Sequence, residues 1–203
     1  MNQPLDADEA RRIEDRYGPL TRSLRTLLDV TIRSQADDDD VARAHELIEQ
    51  ATALLSSRLD PDPFGVRTTT DGRNLTWGNV AIGLRNAIAP PLRIEHDETG
   101  RTTTELTLGA PYEGPAGHVH GGVCALLLDH VLGATAHRPG KPAFTGTLTL
   151  RYVAPTPLGA LRVEAWIDSE TESKTIAAGH IKDADGAVTV QAEGIFIRPK
   201  AKT

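Results

Sequence analysis

The chain has 203 residues, 39% hydrophobic and 25% charged, an ordinary composition for a globular protein and enough for one good-sized domain with an appendage. Its net charge of −6 argues against a general nucleic-acid or anionic-membrane surface, so any anionic ligand must be held by local Arg, Lys or backbone N–H groups. The one cysteine, Cys124, permits no intrachain disulfide, and the opening MNQPLDADEARRIEDRYG lacks the apolar core of a secretory signal. The longest apolar run, residues 123–136, is interrupted by Asp129 and His130 and at 14 residues is too short for a bilayer. A cytoplasmic location without membrane attachment is the expectation.

Residues 1 to about 60 read as helical. Leu20, Leu24, Leu27, Leu28 and Ile32 recur at three- and four-residue spacing, which makes one apolar face. In DDDDVARAHELIEQATALLSSRL, the Asp run reads as a solvated helix start that caps the helix and places carboxylates at its positive end. Val41, Ala44, Leu47, Ile48, Ala51, Leu54 and Leu55 form a second apolar face. DPDPFG ends this helix and TTTDGRN reads as a polar linker, so residues 1–74 are expected to be a helical extension and 75–203 the main domain.

From about residue 75 the pattern becomes strand-like. LRIEHDETGRTTTELTL reads as two strands joined by a turn at 97–100. GHVHGGVCALLLDHVLG follows as a helix. Four further strands are AFTGTLTLRYV, ALRVEAWID, KTIAAGHIK and AVTVQAEGIFI, and their short links imply antiparallel neighbours. The central helix is apolar on nearly every side and must be buried nearly all round. One antiparallel sheet covers only part of it, so the α+β arrangement expected is a curved sheet wrapped around the helix, completed by a second subunit.

Three features of this helix bear on chemistry. Gly121 and Gly122 lie where it begins, so their N–H groups lack intrahelical partners, and the positive helix end could stabilise an oxyanion. Asp129 shares its face with the small residues Gly122, Ala125, Gly133 and Ala136, which leaves room beside the carboxylate. It is either a hydrogen-bonded structural residue in tight helix packing, or a general base or nucleophile facing a substrate channel. Burying a carboxylate without a purpose is costly, which favours function. His118, His120 and Asp129 or His130 raise the question of a metal, but Asp129 is nine residues beyond His120, about 13 Å along a helix, so no metal is expected. Cys124 and His120 are i and i+4 neighbours, but a Cys in an apolar helix reads as structural.

HGGVCALLLDHVLG resembles the HGG-x₆-D signature of PaaI-like hotdog-fold acyl-CoA thioesterases, and the resemblance extends through FTGTLTLRYVAPTPLG to cover roughly residues 90 to 198. YEGPAGHVHGG is similar to the subgroup containing mammalian thioesterase superfamily members. The resemblance implies the hotdog fold and hydrolysis of an acyl-CoA thioester to free acid and coenzyme A. It implies Gly121 as the main oxyanion donor, with Gly122 beside the substrate, Asp129 as base or nucleophile, and His120 orienting the thioester. It implies Thr145 holding the attacking water, although plain strand alternation puts Thr145 with Thr147 and Thr149, opposite Leu148, Leu150 and Tyr152. Arg151 and Lys174 are candidates for the coenzyme A phosphates. No cofactor or metal is implied. Where many PaaI-like members have an Asn in the loop ahead of HGG, this chain reads EGPAG, with Glu113 its only ionisable residue.

Gly121 and Asp129 are eight residues apart, about 12 Å along one helix, so one helix cannot bring both to one carbonyl. A homodimer with shared active sites is therefore expected, alone or paired into a tetramer. The other reading of the same fold is a non-catalytic acyl-CoA-binding regulator.

Overall fold

A computed structural model describes residues 3–61, 64–90, 92–137 and 142–199. The chain divides into two compact units, 1–79 with 83–87, and 80–82 with 88–203.

In the first unit, α1 (Ala7–Arg33) is capped by Asp6, whose carboxylate accepts from the N–H groups of Asp8 and Glu9, and it runs through Pro19. The Asp run does cap α2 (Asp38–Ser56): Asp37 accepts from the Asp40 N–H, and Asp38, Asp39 and Asp40 fill the first turn. TTTDGRN, read as a linker, is instead the turn of a small hairpin, with β1 (Arg67–Thr68) antiparallel to β2 (Asn74–Leu75). The Thr69 hydroxyl accepts from the Arg73 N–H at 2.9 Å, and Gly72 takes the left-handed φ of 85° that the turn needs. Leu5 runs beside β1, and Ala10, Leu75 and Trp77 form a small core.

The second unit holds a six-stranded antiparallel sheet and one long helix. Its strands are β3 (Glu95–His96), β4 (Thr102–Leu108), β5 (Phe144–Tyr152), β6 (Gly159–Glu170), β7 (Lys174–Lys182) and β8 (Val188–Ile197), in the order β3-β4-β6-β7-β8-β5. The turn at 97–100 and the short β6–β7 and β7–β8 links give antiparallel neighbours as expected, but the short PTPLG link does not. β5 and β6 are not paired, because β6 lies between β4 and β7 while β5 takes the far edge beside β8. Between β4 and β5 the chain forms α3 (Gly121–Ala136), which packs on one face of the sheet.

Leu127, Leu128, Val131 and Leu132 of α3 meet Leu108, Val163, Ala165, Ile181, Val190 and Phe196 from the strands. The helix approaches closely because Gly179 has no side chain. A Cβ there would lie 2.8 Å from a Leu132 methyl and 2.6 Å from the Glu164 carbonyl. The other side of α3, with Gly122, Leu126, His130 and Gly133, is only partly covered. On the sheet face turned away from α3, Glu164 is buried and ion-paired to Lys182 (2.8 Å), His180 (2.7 Å) and Arg162 (2.9 Å). Among the described residues, no helix is long and apolar enough to cross a membrane.

Candidate active site

The site starts from the loop ahead of α3. Glu113 accepts from the Gly117 N–H at 2.6 Å, and Gly114 donates to the His118 carbonyl, so EGPAG folds back on itself. The Glu113 carboxylate is thus occupied within the loop. The turn after β5 braces the same loop: Val119 donates to the Thr156 carbonyl, Leu158 to the Gly117 carbonyl, and His118 bridges to Pro157. His120 emerges as the N-cap of α3, and its ring Nδ1 accepts from the Gly122 N–H at 3.0 Å. An accepting Nδ1 leaves the neutral ring's proton on Nε2.

This cap distinguishes the two glycines. The Gly122 N–H is used by His120, whereas the Gly121 N–H finds no acceptor among the described residues. Gly121 therefore offers the unengaged donor at the positive end of a 16-residue helix. Its carbonyl accepts from the Tyr152 hydroxyl at 2.8 Å, so β5 also holds the helix start in place.

Asp129 projects two turns further along. Its Oδ1 accepts from the Thr145 hydroxyl at 2.9 Å, joining α3 to β5. Plain alternation had placed Thr145 with Thr147 and Thr149, away from Leu148 and Tyr152, and the structure corrects this. The β5–β8 register slips between Thr145 and Thr147, so that Thr145 faces Phe196 while Thr147 faces Ile195. Gly146 is the extra residue of a β-bulge. Residues directly opposite in a ladder share a face, so Thr145 lies with Leu148, Leu150 and Tyr152 on the side of α3. A Cβ on Gly146 would come within 2.9 Å of the Ile197 side chain, which explains why the bulge carries glycine.

His130, next to Asp129, is held below the usual imidazole range by burial, only partly offset by the Asp129 carboxylate. Cys124 is buried, its thiol donates to Thr156, and burial pushes that thiol up, so it is a core residue and a poor nucleophile. Arg151 pairs with Gln191 and Lys174 with Ile197. That register puts both on the sheet face away from α3, apart from Gly121 and Asp129. Among the described residues, no three His, Cys, Asp or Glu side chains are grouped to hold a metal ion.

Sequence reasoning missed two contributors. Tyr152 was only one aromatic among several, and its inward parity at the end of β5 was the available signal. Gly146 within a strand was the signal for the bulge.

A family model described as the thioesterase superfamily matches residues 116–191, from the loop ahead of α3 into β8. Acyl-coenzyme A thioesterase THEM5 of Mus musculus is 25% identical over 138 residues, which are 67% of this chain and 56% of the relative. Acyl-coenzyme A thioesterase THEM4 of Xenopus laevis is 34% identical over 94 residues, 43% of this chain and 41% of the relative. The chain spans about half the length of these two curated relatives. The solved thioesterase superfamily protein RHA08564 is 35% identical, with a TM-score of 0.78 over 89% of this chain and 94% of that one. The chain belongs to the thioesterase superfamily, and its second unit has the hotdog fold.

Proposed function

We propose that the protein hydrolyses acyl-CoA thioesters to a free acid and coenzyme A, in a homodimer whose two active sites each draw on both chains. The observation that carries this reading is the pair of endpoints on α3: an unengaged Gly121 N–H at the helix start, and Asp129 held by Thr145 across the bulge. Two antiparallel copies of α3 would set the start of one helix against the middle of the other, which brings these groups to one carbonyl twice per dimer. Such a pairing would also cover the open side of α3, and could extend to a tetramer.

In the general-base route, Asp129 takes a proton from water as the water oxygen bonds to the thioester carbon. The partner's Gly121 N–H stabilises the resulting oxyanion. The tetrahedral intermediate collapses by breaking the C–S bond, and the protonated Asp129 returns its proton to the departing thiolate. In the nucleophilic route an Asp129 oxygen bonds to the thioester carbon and the C–S bond breaks, releasing the coenzyme A thiolate and leaving a mixed anhydride. Water then adds to the acyl carbon, the C–O bond to Asp129 breaks, and the proton lost by water goes to the thiolate. The Thr145 hydroxyl, while donating to Asp129, keeps lone pairs that can accept from the attacking water. His120 would turn Nε2–H toward the substrate, with Gly122 leaving space beside it. Arg151 and Lys174 would reach the coenzyme A phosphates only if the nucleotide end lies along the outer side of β5.

Thiol release measured across a panel of acyl-CoA chain lengths tests the reading. Turnover should be found in the wild type and fall by roughly 10²–10⁴ in a folded Asp129→Asn variant. Tight binding of several acyl-CoA molecules without any hydrolysis would establish the regulator instead. Sharing of the site is tested by mixing inactive Asp129→Asn and Gly121→Pro chains. Random exchange should restore about a quarter of wild-type activity, because half the dimers then hold one intact site. Confirmed exchange with no recovery rules the shared site out.

A further inference from the structure

α2 presents Val41, Leu47, Ile48, Leu54 and Leu55 on one face, in rows repeating every seven residues, yet no residue of this helix is buried. Leu54 is 76% exposed. Most helical stability in proteins comes from packing an amphipathic face, so a 19-residue helix with such a stripe calls for a cover. α1 shows the same need at one end. Ala10 and Thr21 are buried, and Arg25 reaches the Gly83 and Asn86 carbonyls. Toward the C-terminal end Leu24, Leu28 and Ile32, four residues apart on one side of the helix, are exposed.

The two faces do not cover each other. Residues 34–37 join the helices through extended backbone at Ser34 and Asp37, and α1 and α2 do not run along one another. Each chain thus offers two open apolar faces of opposite electrical character. The open end of α1, residues 22–33, carries Arg22, Arg25 and Arg33 against Asp29 alone, with Arg33 paired to Asp29, whereas α2 carries Asp38, Asp39, Asp40, Glu46 and Glu49 against Arg43 alone.

We propose that α2 packs on the exposed end of α1 in a second copy of this chain, and that the second copy returns the contact about a twofold axis. A second copy brings to each face a surface that is apolar and oppositely charged. Packing α2 on α2 would oppose acid to acid, and an anionic membrane would repel the same helix. The inference stands independently of the thioester chemistry.

Leu28→Cys and Leu47→Cys variants of the 203-residue chain, one bearing a size tag, are mixed and mildly oxidised. The native Cys124 is buried with its thiol pushed up, so it does not compete. The expected product is a tagged–untagged disulfide dimer on a non-reducing gel. In the double variant Leu47→Glu with Leu54→Glu, the dissociation constant for self-association should rise at least tenfold by sedimentation equilibrium, with helical content retained. Crosslinking only between two Leu47→Cys chains overturns the proposal. So does an intrachain disulfide in a chain carrying both cysteines, or an unchanged dissociation constant in the Glu variant.

Discussion

α2 and α3 are of similar length, 19 and 16 residues, and both are rich in Ala and Leu. None of α2 is buried, whereas Cys124, Leu127, Leu128, Val131, Leu132, Thr135 and Ala136 of α3 are. The difference lies in what the rest of the chain supplies. α3 is followed by four strands that fold back over it, and Gly179 opens a place for Leu132. α2 is followed by DPDPFG and a small hairpin that joins a core around Ala10 and Trp77 instead. Periodicity marks the face a helix must cover; chain topology decides whether its own chain covers it.

Core truncation should expose this contrast most strongly. Leu132→Ala, in the heart of the α3–sheet contact, should cost about 2–5 kcal/mol by denaturant unfolding. The matching truncation Leu54→Ala in α2 should cost no more than about 0.5 kcal/mol when measured on the dissociated chain. Comparable losses at both positions would mean that α2 is buried within its own chain.

An acid titration separates the two faces of the sheet that supports α3. Lys182 above all, together with His180 and Arg162, holds the buried Glu164 carboxylate at about 2, against an ordinary value of 4.5. Its contribution to stability is therefore complete above about 4.5 and is lost as pH falls toward 2. Wild-type unfolding free energy should decline more steeply across that window than that of Glu164→Gln. Parallel curves would show that the cluster is not coupled to folding.

A smaller effect is expected where α3 meets β5. In Gly146→Val the bulge is disfavoured, and regular pairing would turn Thr145 away from Asp129. If Thr145 serves the reaction, turnover should fall roughly 10- to 100-fold, the worth of a hydrogen bond to a charged group, with the melting temperature less affected. The Thr145→Ala variant sets the scale for that loss. Full activity in Gly146→Val would detach Thr145 from the chemistry.

Most of the second unit was legible in the sequence. The alternation of Leu161, Val163, Ala165 and Ile167, the turn at 97–100 and the short β6–β7 and β7–β8 links led to the observed strands, because a half-buried strand and a tight turn leave local residue patterns. The acidic cap of α2 was legible for the same reason. The hairpin in TTTDGRN was not, since its hydrogen bonds rest on Thr69 and on Leu5, more than sixty residues earlier. The orientation of Thr145 was misread because alternation assumes an unbroken ladder, and a bulge shifts one strand against another by one residue.

The sequence by itself determined the helices, the strands of the second unit, the acidic cap of α2 and the spacing that keeps Gly121 and Asp129 about 12 Å apart. These are consequences of local backbone geometry and of side-chain periodicity. Only the tertiary structure decided which glycine N–H stays unengaged, which side of β5 carries Thr145, and that the apolar stripe of α2 is left uncovered. The first depends on how the His120 ring turns back onto the helix start, the second on the register of β8 some fifty residues later, and the third on where the following chain goes, since it folds into the Ala10–Trp77 core and not over α2.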